Sequence, residues 1–355
     1  MASVEKQVRN GRTSWLVRWR NPAGAQRKRS FPRKFEANRY RVEIERSLAT
    51  GGYIDPAMSR VTVGEWSTTW LAQIQVKPST ATRYEGLLRV HILPTWQRVS
   101  LQAVTHVEVG RWVTDLVDKG LAPSTVRQAH RVLSLLLSLA VKDNRIARNP
   151  AAGVRLPRVS AKEKRFLTHE QVSSLADAAG DHGLAIRVLA YTGLRFGELA
   201  ALRVRHVDLV KRRLQVAESV TEVNGHAIFG SPKTHAARSV GIPSFILDQI
   251  AARLEGQPAD AFVFPAPRGG VLRLRNWRRQ VFDPAVRAAG LDGITPHDLR
   301  HTAASLAIAA GANIKAVQRM LGHQSAAMTL DVYSGLFEDD LDQVAERLND
   351  RAQGR

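Results

Sequence analysis

The chain has 355 residues, with 52 Lys and Arg against 32 Asp and Glu, for a formal charge of +20. Such a surplus at 44% hydrophobic content describes a folded protein that faces a polyanion, and it excludes bulk disorder. With no cysteine there can be no disulfide, thiol nucleophile or Cys-ligated metal site.

No apolar run nears the roughly 18–20 residues of a membrane span. The opening MASVEKQVRNGR has no apolar stretch of the signal-peptide kind. A soluble cytoplasmic nucleic-acid protein without a membrane partner is therefore expected. The charge is graded along the chain. Residues 1–60 hold 14 Lys/Arg against 5 Asp/Glu (+9), residues 61–160 hold 13 against 6 (+7), and residues 161–355 hold 25 against 21 (+4). The first two segments read as a grip on phosphates, the third as a region with a more local task.

Residues 4–31 alternate like strands. Ser14–Arg20 is aromatic and β-branched, Asn21-Pro22-Ala23-Gly24 signals a turn, and Gln26–Phe31 reads as the return strand. A helix over Phe35–Leu48 follows and stops at Gly51-Gly52. Residues 61–150 read as four helices: Val63–Gln75, Ser79–Ile92, Val107–Lys119 and Ser124–Val141. Ser79 and Ser124, each after a proline, suit N-caps. The Pro-containing basic stretch AAGVRLPRVSAKEKR reads as a linker.

From Phe166 the pattern is mixed. Helices are expected from Thr168 to Leu175, over Ile186–Leu202 with a break at Thr192-Gly193, and near 245–254, 276–288, 296–310, 314–321 and 326–333. Leu214–Ala217 and Arg238–Ile242 read as strands around a turn-rich middle with Asn224-Gly225. The expected fold is multidomain and mainly α with small β-sheets. It comprises an N-terminal sheet plus helix at 1–60, a four-helix domain at 61–152, a linker at 153–165, and an α+β domain with a C-terminal tail helix at 166–355.

The densest polar cluster is Pro296-His297-Asp298-Leu299-Arg300-His301, which places His297, Arg300 and His301 on one side of a helix. Its two histidines four apart resemble the zinc motif H-E-x-x-H. However, Asp298 is a methylene short of the motif's glutamate, and Arg300 would set a fixed cation beside the metal. The rival reading is a phosphate clamp, because a guanidinium matches two phosphate oxygens. A second clamp is offered by Arg195, which follows a glycine break, with Glu198 one turn on to fix it. Leu321-Gly322-His323 adds an imidazole and Asp331-Val332-Tyr333-Ser334 a phenol.

Arg195 in TGLRFGELAAL, His297 and Arg300 in HDLRHT, His323 in MLGH and Tyr333 in DVYSGL occur in the order and context of the phage-integrase family of tyrosine recombinases. The chain resembles a bipartite, lambda-type member of that family, and the likeness runs over nearly its whole length. The resemblance implies that residues 1–60 bind arm-type DNA sites, that 61–152 form a SAM-like domain on core-type sites, and that 166–355 are catalytic. It implies a site-specific recombinase that integrates a phage or mobile element through a 3′-phosphotyrosyl intermediate, with no cofactor and no metal. Its site would comprise Arg195, Lys233, His297, Arg300, His323 and the nucleophile Tyr333, with Glu198 orienting the site. Lys233, in GSPKTH, matches the family's hairpin lysine better than Lys211, which lies in a basic run. His235, Arg238 and His301 read as structural or DNA-contacting, and Asp298 as a brace for Arg300 or a cap of its helix.

Implied partners are double-stranded DNA with core-type and arm-type sites, a homo-tetramer on that DNA, a host DNA-bending factor and an excision partner. Rival functions are a type IB topoisomerase and a catalytically silent DNA-binding regulator. Leu341, Val344, Ala345 and Leu348 form an apolar stripe in an acidic run. The resemblance implies that this tail docks on a neighbouring protomer; the alternative is a helix folded back on its own domain.

Overall fold

The computed structural model describes residues 2–9, 12–160, 164–231, 237–333, 349–350 and 352–353. The tail stripe over 341–348 and residues 232–236, Lys233 among them, lie outside the described residues. The chain divides into two compact units, 1–161 and 162–355.

The first unit opens with an antiparallel sheet of β1 (Ser3–Arg9), β2 (Arg12–Arg20) and β3 (Gln26–Phe31), followed by α1 (Lys34–Ala49). β1 lies beyond the two strands that the pattern marks most clearly. Alternation puts Val17 and Trp19 on the face that α1 covers through Ala37 and Ile44. Leu16, Arg18 and Arg20 therefore take the other face, and Arg18 lies opposite Lys28. The segment after α1 is sewn back onto the sheet. Tyr53 Oη accepts from Trp19 Nε1 at 2.8 Å, and buried Asp55 accepts from Asn21 at 2.8 Å and from Arg27 at 2.9 Å.

A second apolar cluster in this unit is built by α2 (Val63–Gln73), α3 (Pro78–Leu87), α4 (Leu93–Trp96), α5 (His106–Asp118) and α6 (Pro123–Lys142). Trp66, Trp70, Trp96 and Trp112 pack with Leu133, Leu136 and Leu137. Thr62 and Thr105 close capping boxes with Glu65 and Glu108. Ser79 and Ser124 are not N-caps. Pro78 and Pro123 occupy the first helical turn, where a missing N–H costs nothing, and the caps are Lys77 and Ala122. The expected Ser79–Ile92 helix passes through a π turn at Leu88–Ile92, and Pro94 follows within α4.

The second unit holds α7 (His169–Ala178), α8 (Gly183–Thr192), α9 (Phe196–Ala200), β4 (Val207–Asp208), β5 (Arg213–Val216), β6 (Ser219–Val223), β7 (His226–Gly230) and β8 (Arg238–Gly241). Then come α10 (Ser244–Leu254), α11 (Leu274–Trp277), α12 (Asp283–Ala288), α13 (Pro296–Ala309), α14 (Ile314–Leu321) and α15 (Ala326–Tyr333). The turn-rich middle is an antiparallel hairpin of β6 and β7, with Asn224 and Gly225 both at positive φ as a two-residue turn requires. α8 is buried through Ile186, Val188 and Leu189 and packs on α13. A separate cluster joins Ala304 and Ile308 of α13, Val317 and Leu321 of α14, and Tyr333. No described helix is long and apolar enough to cross a membrane.

Candidate active site

Two helix ends and one buried arginine form the centre of the site. α8 stops at Gly193 (φ 65°) and α14 at Gly322 (φ 63°), both left-handed caps that only glycine adopts without strain. Packing adds a second constraint, because a Cβ at Gly193 would sit 2.8 Å from Leu321 Cδ2. Arg300 leaves the first turns of α13 between these ends. Its Nη1 donates to the Gly193 carbonyl and its Nη2 to the Leu321 carbonyl. Each carbonyl carries the partial negative charge of a helix C-terminus, so the buried cation has partners on two sides. Burial, reinforced by Arg195, pulls the Arg300 pKa down to about 9, which leaves it charged at neutral pH.

Arg195 is the N-cap residue of α9. Its Nη1 donates to Glu198 Oε1 at 3.0 Å and its backbone N–H to Oε2 at 2.9 Å. Glu198 is only 2% exposed and receives a second fork, from Arg238 Nη1 at 2.9 Å and Nη2 at 2.6 Å. Burial disfavours the carboxylate, but Arg238, the Arg195 backbone and the Arg195 charge outweigh it and hold its pKa below the usual range. A buried carboxylate shared by two arginines stays ionised and fixes both.

Arg238 also donates from Nε to the Met320 carbonyl at 3.0 Å, and a Cβ on Gly322 would meet its Cδ at 2.9 Å. All three kinds of guanidinium nitrogen in Arg238 are thus engaged with protein. It ties β8 to α9 and to the last turn of α14. Its alternation on a short strand gives no sign of this, because the partner carboxylate lies 40 residues away.

His323 Nδ1 lies 3.0 Å from Thr329 Oγ1. Burial and the cations Arg300 and Arg195 bring its pKa down to about 4. Tyr333 ends α15 and is 2% exposed. Burial pushes its phenol up to about 12 against the pull of Arg300. The phenol oxygen lies 2.8 Å from Nδ1 of His301, whose ring meets that of the exposed His297 edge-on at 4.8 Å. Burial and the neighbouring His297 bring the His301 pKa down to about 4, so its imidazole is neutral at pH 7. Asp298 does not brace Arg300: its Oδ2 caps α13, accepting from the Thr295 backbone N–H at 2.8 Å and Oγ1 at 2.7 Å.

The fold therefore brings Arg195, Glu198, Arg238, Arg300, His301, His323 and Tyr333 into one neighbourhood, with His297 at its exposed edge. Lys233 lies outside the described residues. Arg238 and His301 are the two members whose involvement the motifs do not assign. Among the described residues, no group of three or more His, Asp or Glu is arranged to hold a metal ion. Two guanidinium groups so held have the chemistry to meet the non-bridging oxygens of a phosphodiester, and the phenol lies within reach of Arg300's charge.

Known proteins resemble this chain in sequence and fold. The family described as "Phage integrase family" matches residues 165–338, and "Phage integrase, N-terminal SAM-like domain" matches residues 62–117. A "Tyrosine recombinase XerC-like" protein of Caldanaerobacter subterraneus subsp. tengcongensis is 24% identical, covering 99% of both chains. The "Integrase" of Mycobacterium phage L5 is 27% identical over 84% of this chain and 81% of its own. Among solved structures, the Tn1549 transposon integrase in complex with transposon right end DNA superposes with a TM-score of 0.70 at 25% identity. That match covers 81% of this chain and 100% of the other.

Proposed function

The chain belongs to the phage integrase family of tyrosine recombinases and is a site-specific DNA recombinase; from that premise we propose that Tyr333 is its nucleophile and that Arg195 and Arg300 hold the scissile phosphate. The observation that carries this reading is the convergence on Arg300. One guanidinium, fixed by two helix-terminal carbonyls, sits beside Arg195 and within the electrostatic reach of the Tyr333 phenol.

Phosphoryl transfer rests on positioning and on neutralising charge at the phosphate oxygens. The Tyr333 oxygen attacks phosphorus and the 5′-oxygen departs, which leaves a 3′-phosphotyrosyl ester and a free 5′-hydroxyl. Because the ester conserves the energy of the broken bond, a 5′-hydroxyl from another strand can reverse the step without ATP. Arg195 and Arg300 supply the cationic stabilisation that metal ions give other nucleases. His297 and His323 add donors to the phosphate oxygens, and Lys233 protonates the leaving 5′-oxygen. Glu198 holds Arg195 in place. Tyr333 is 2% exposed, so engagement of DNA has to uncover it.

The reading extends to the whole chain. Residues 1–60, with +9 of the charge, bind arm-type sites, and residues 61–152 bind the core-type site. Residues 153–165 link the latter to the catalytic region. Exchange between two duplexes cuts four strands, one per tyrosine, which calls for a homo-tetramer. The resemblance to a phage and a transposon integrase supports integration of a mobile genome into a host chromosome.

The test is to incubate the protein with a nicked candidate attachment site and to look for a protein–DNA band that resists denaturant. Tyr333→Phe keeps the ring and should bind DNA normally while giving no such band. An adduct formed by that variant would assign the attack to another residue. The band should form equally in EDTA; loss on chelation with recovery on added zinc would revive a metal mechanism.

A further inference from the structure

Arg238 belongs to none of the motifs, yet it touches the supports of both arginines that hold the phosphate. We infer that Arg238 is a positioning residue, a buried strut between Glu198 and the end of α14 that sets the spacing of Arg195 and Arg300. This inference rests on those two arginines holding the scissile phosphate.

Both supports are shared. Glu198 Oε1 accepts from Arg195 Nη1 at 3.0 Å and from Arg238 Nη1 at 2.9 Å, while Oε2 accepts from Arg238 Nη2 at 2.6 Å. At the end of α14 two successive carbonyls are taken. Met320 accepts from Arg238 Nε at 3.0 Å, and Leu321 accepts from Arg300 Nη2. One guanidinium thus spans from the anchor of Arg195 to the anchor of Arg300. The strut also has a fixed root, because Arg238 opens β8 and pairs with Val216 of β5. Gly322 leaves room for its passage: a Cβ there would lie 2.9 Å from Arg238 Cδ and 3.1 Å from Nε.

Burial decides between a strut and a third phosphate contact. The Arg238 side chain is 9% exposed and that of Glu198 1%, against 25% for Arg195. Arg195 stays open to a phosphate, whereas Arg238 has committed Nε, Nη1 and Nη2 to protein. A planar guanidinium transmits orientation through its fork, which a point charge does not. Phosphoryl transfer is sensitive to that orientation, since a misplacement of about 1 Å can cost roughly 10²-fold. Without Arg238, Glu198 loses one of its two forks and α14 one of its two guanidinium ties, so both arginines of the clamp gain freedom.

The experiment compares Arg238→Met, which keeps the length of the side chain and loses the fork, with Arg238→Lys, which keeps the charge and loses the fork. Each is made in the full chain, alone and together with Arg195→Ala. Melting and binding to a nicked attachment site are measured beside adduct formation. Each single variant should bind the site with unchanged affinity yet form adduct roughly 10–10²-fold more slowly. Added to Arg195→Ala, either should cost less than about threefold further, because with one arginine gone there is no spacing left to set. A methylphosphonate at the scissile position carries no charge to neutralise, and on it the Arg238 defect should shrink in step with that of Arg195→Ala. Normal cleavage by Arg238→Lys would show that charge alone suffices and would overturn the inference. So would defects that multiply with Arg195→Ala, which would give Arg238 a separate contact with DNA or a role in folding alone. A defect equal on phosphate and methylphosphonate would do the same. If Arg238→Met does not fold, Arg238→Lys carries the same test. Normal cleavage by Arg195→Ala is a different failure, because it would remove the clamp itself.

Discussion

The sheet in residues 1–60 and the site in residues 162–355 use arginine in opposite ways. On the sheet, Arg18 keeps 42% of its side chain exposed and pairs with Glu5, which is itself 55% exposed, while Arg20 and Lys28 face outward without burial. In the site, Arg300 is 3% exposed, the Arg238 side chain 9%, and Arg195 shares the buried carboxylate of Glu198. A surface guanidinium stays hydrated and finds phosphate wherever it lies, with a strength that salt screens. A withdrawn guanidinium has already lost its water and its freedom, so it favours one phosphate geometry. The first arrangement suits gripping DNA, the second suits cutting it.

The sharpest way to break this contrast is to remove a withdrawn arginine. Arg300→Ala should cut adduct formation by 10²–10³ or more, matching the roughly 3–4 kcal/mol that removing one transition-state donor commonly costs. It should also destabilise the second unit by about 2–4 kcal/mol, because two helix-terminal carbonyls lose their donors. Single-turnover cleavage and thermal melting read the two effects. A variant that melts early but cleaves at the normal rate would make Arg300 a structural tie only.

A smaller effect is expected at the glycine that lets Arg300 reach its carbonyl. Gly193→Ala imposes a side chain at φ 65° and 2.8 Å from Leu321 Cδ2. It should cost about 1–2 kcal/mol of stability. Cleavage should fall more than DNA affinity, and equal losses in both would mean that the cap serves folding alone.

Deleting residues 1–60 removes +9 of the +20. The shortened protein should still cleave core-type sites and should no longer bind a separate arm-type sequence. Its salt dependence should flatten by about 0.9 in log–log slope for each phosphate that is no longer neutralised. An unchanged slope would place the DNA grip elsewhere.

The smallest effect concerns pH. The folded-state pKa values of His301 and His323 lie near 4, below an ordinary histidine near 6.5. Between these values the unfolded chain binds more protons, so folding stability falls as pH drops from about 6.5 towards 4. Melting of the second unit should shift down across that window, and less so in His301→Gln. A variant with the same acid sensitivity would remove His301 from the account.

The polar motifs were legible because each is a short run on one element. HDLRHT places its histidine and arginine on one side of a helix from spacing alone, and Thr192-Gly193 reads as a helix break. The partnerships across the fold were not legible. Glu198 meets Arg238 over 40 residues and Tyr333 meets His301 over 32, and no local period encodes either. For the same reason Asp298 could be read as a brace or a cap, and only its bond with Thr295 decides for the cap. The π turns at Leu88–Ile92 and Arg278–Phe282 interrupt helices whose hydrophobic spacing runs on through them.

The central claim is that the held arginines present a phosphate to Tyr333. Its most direct test is to isolate the denaturant-resistant protein–DNA product, digest it with protease and identify by mass spectrometry the peptide that carries the nucleotide. The account predicts a 3′-phosphate ester on Tyr333, formed by the intact protein and absent in Arg300→Ala. A nucleotide carried on any other residue, or attached to a 5′-phosphate, would contradict it.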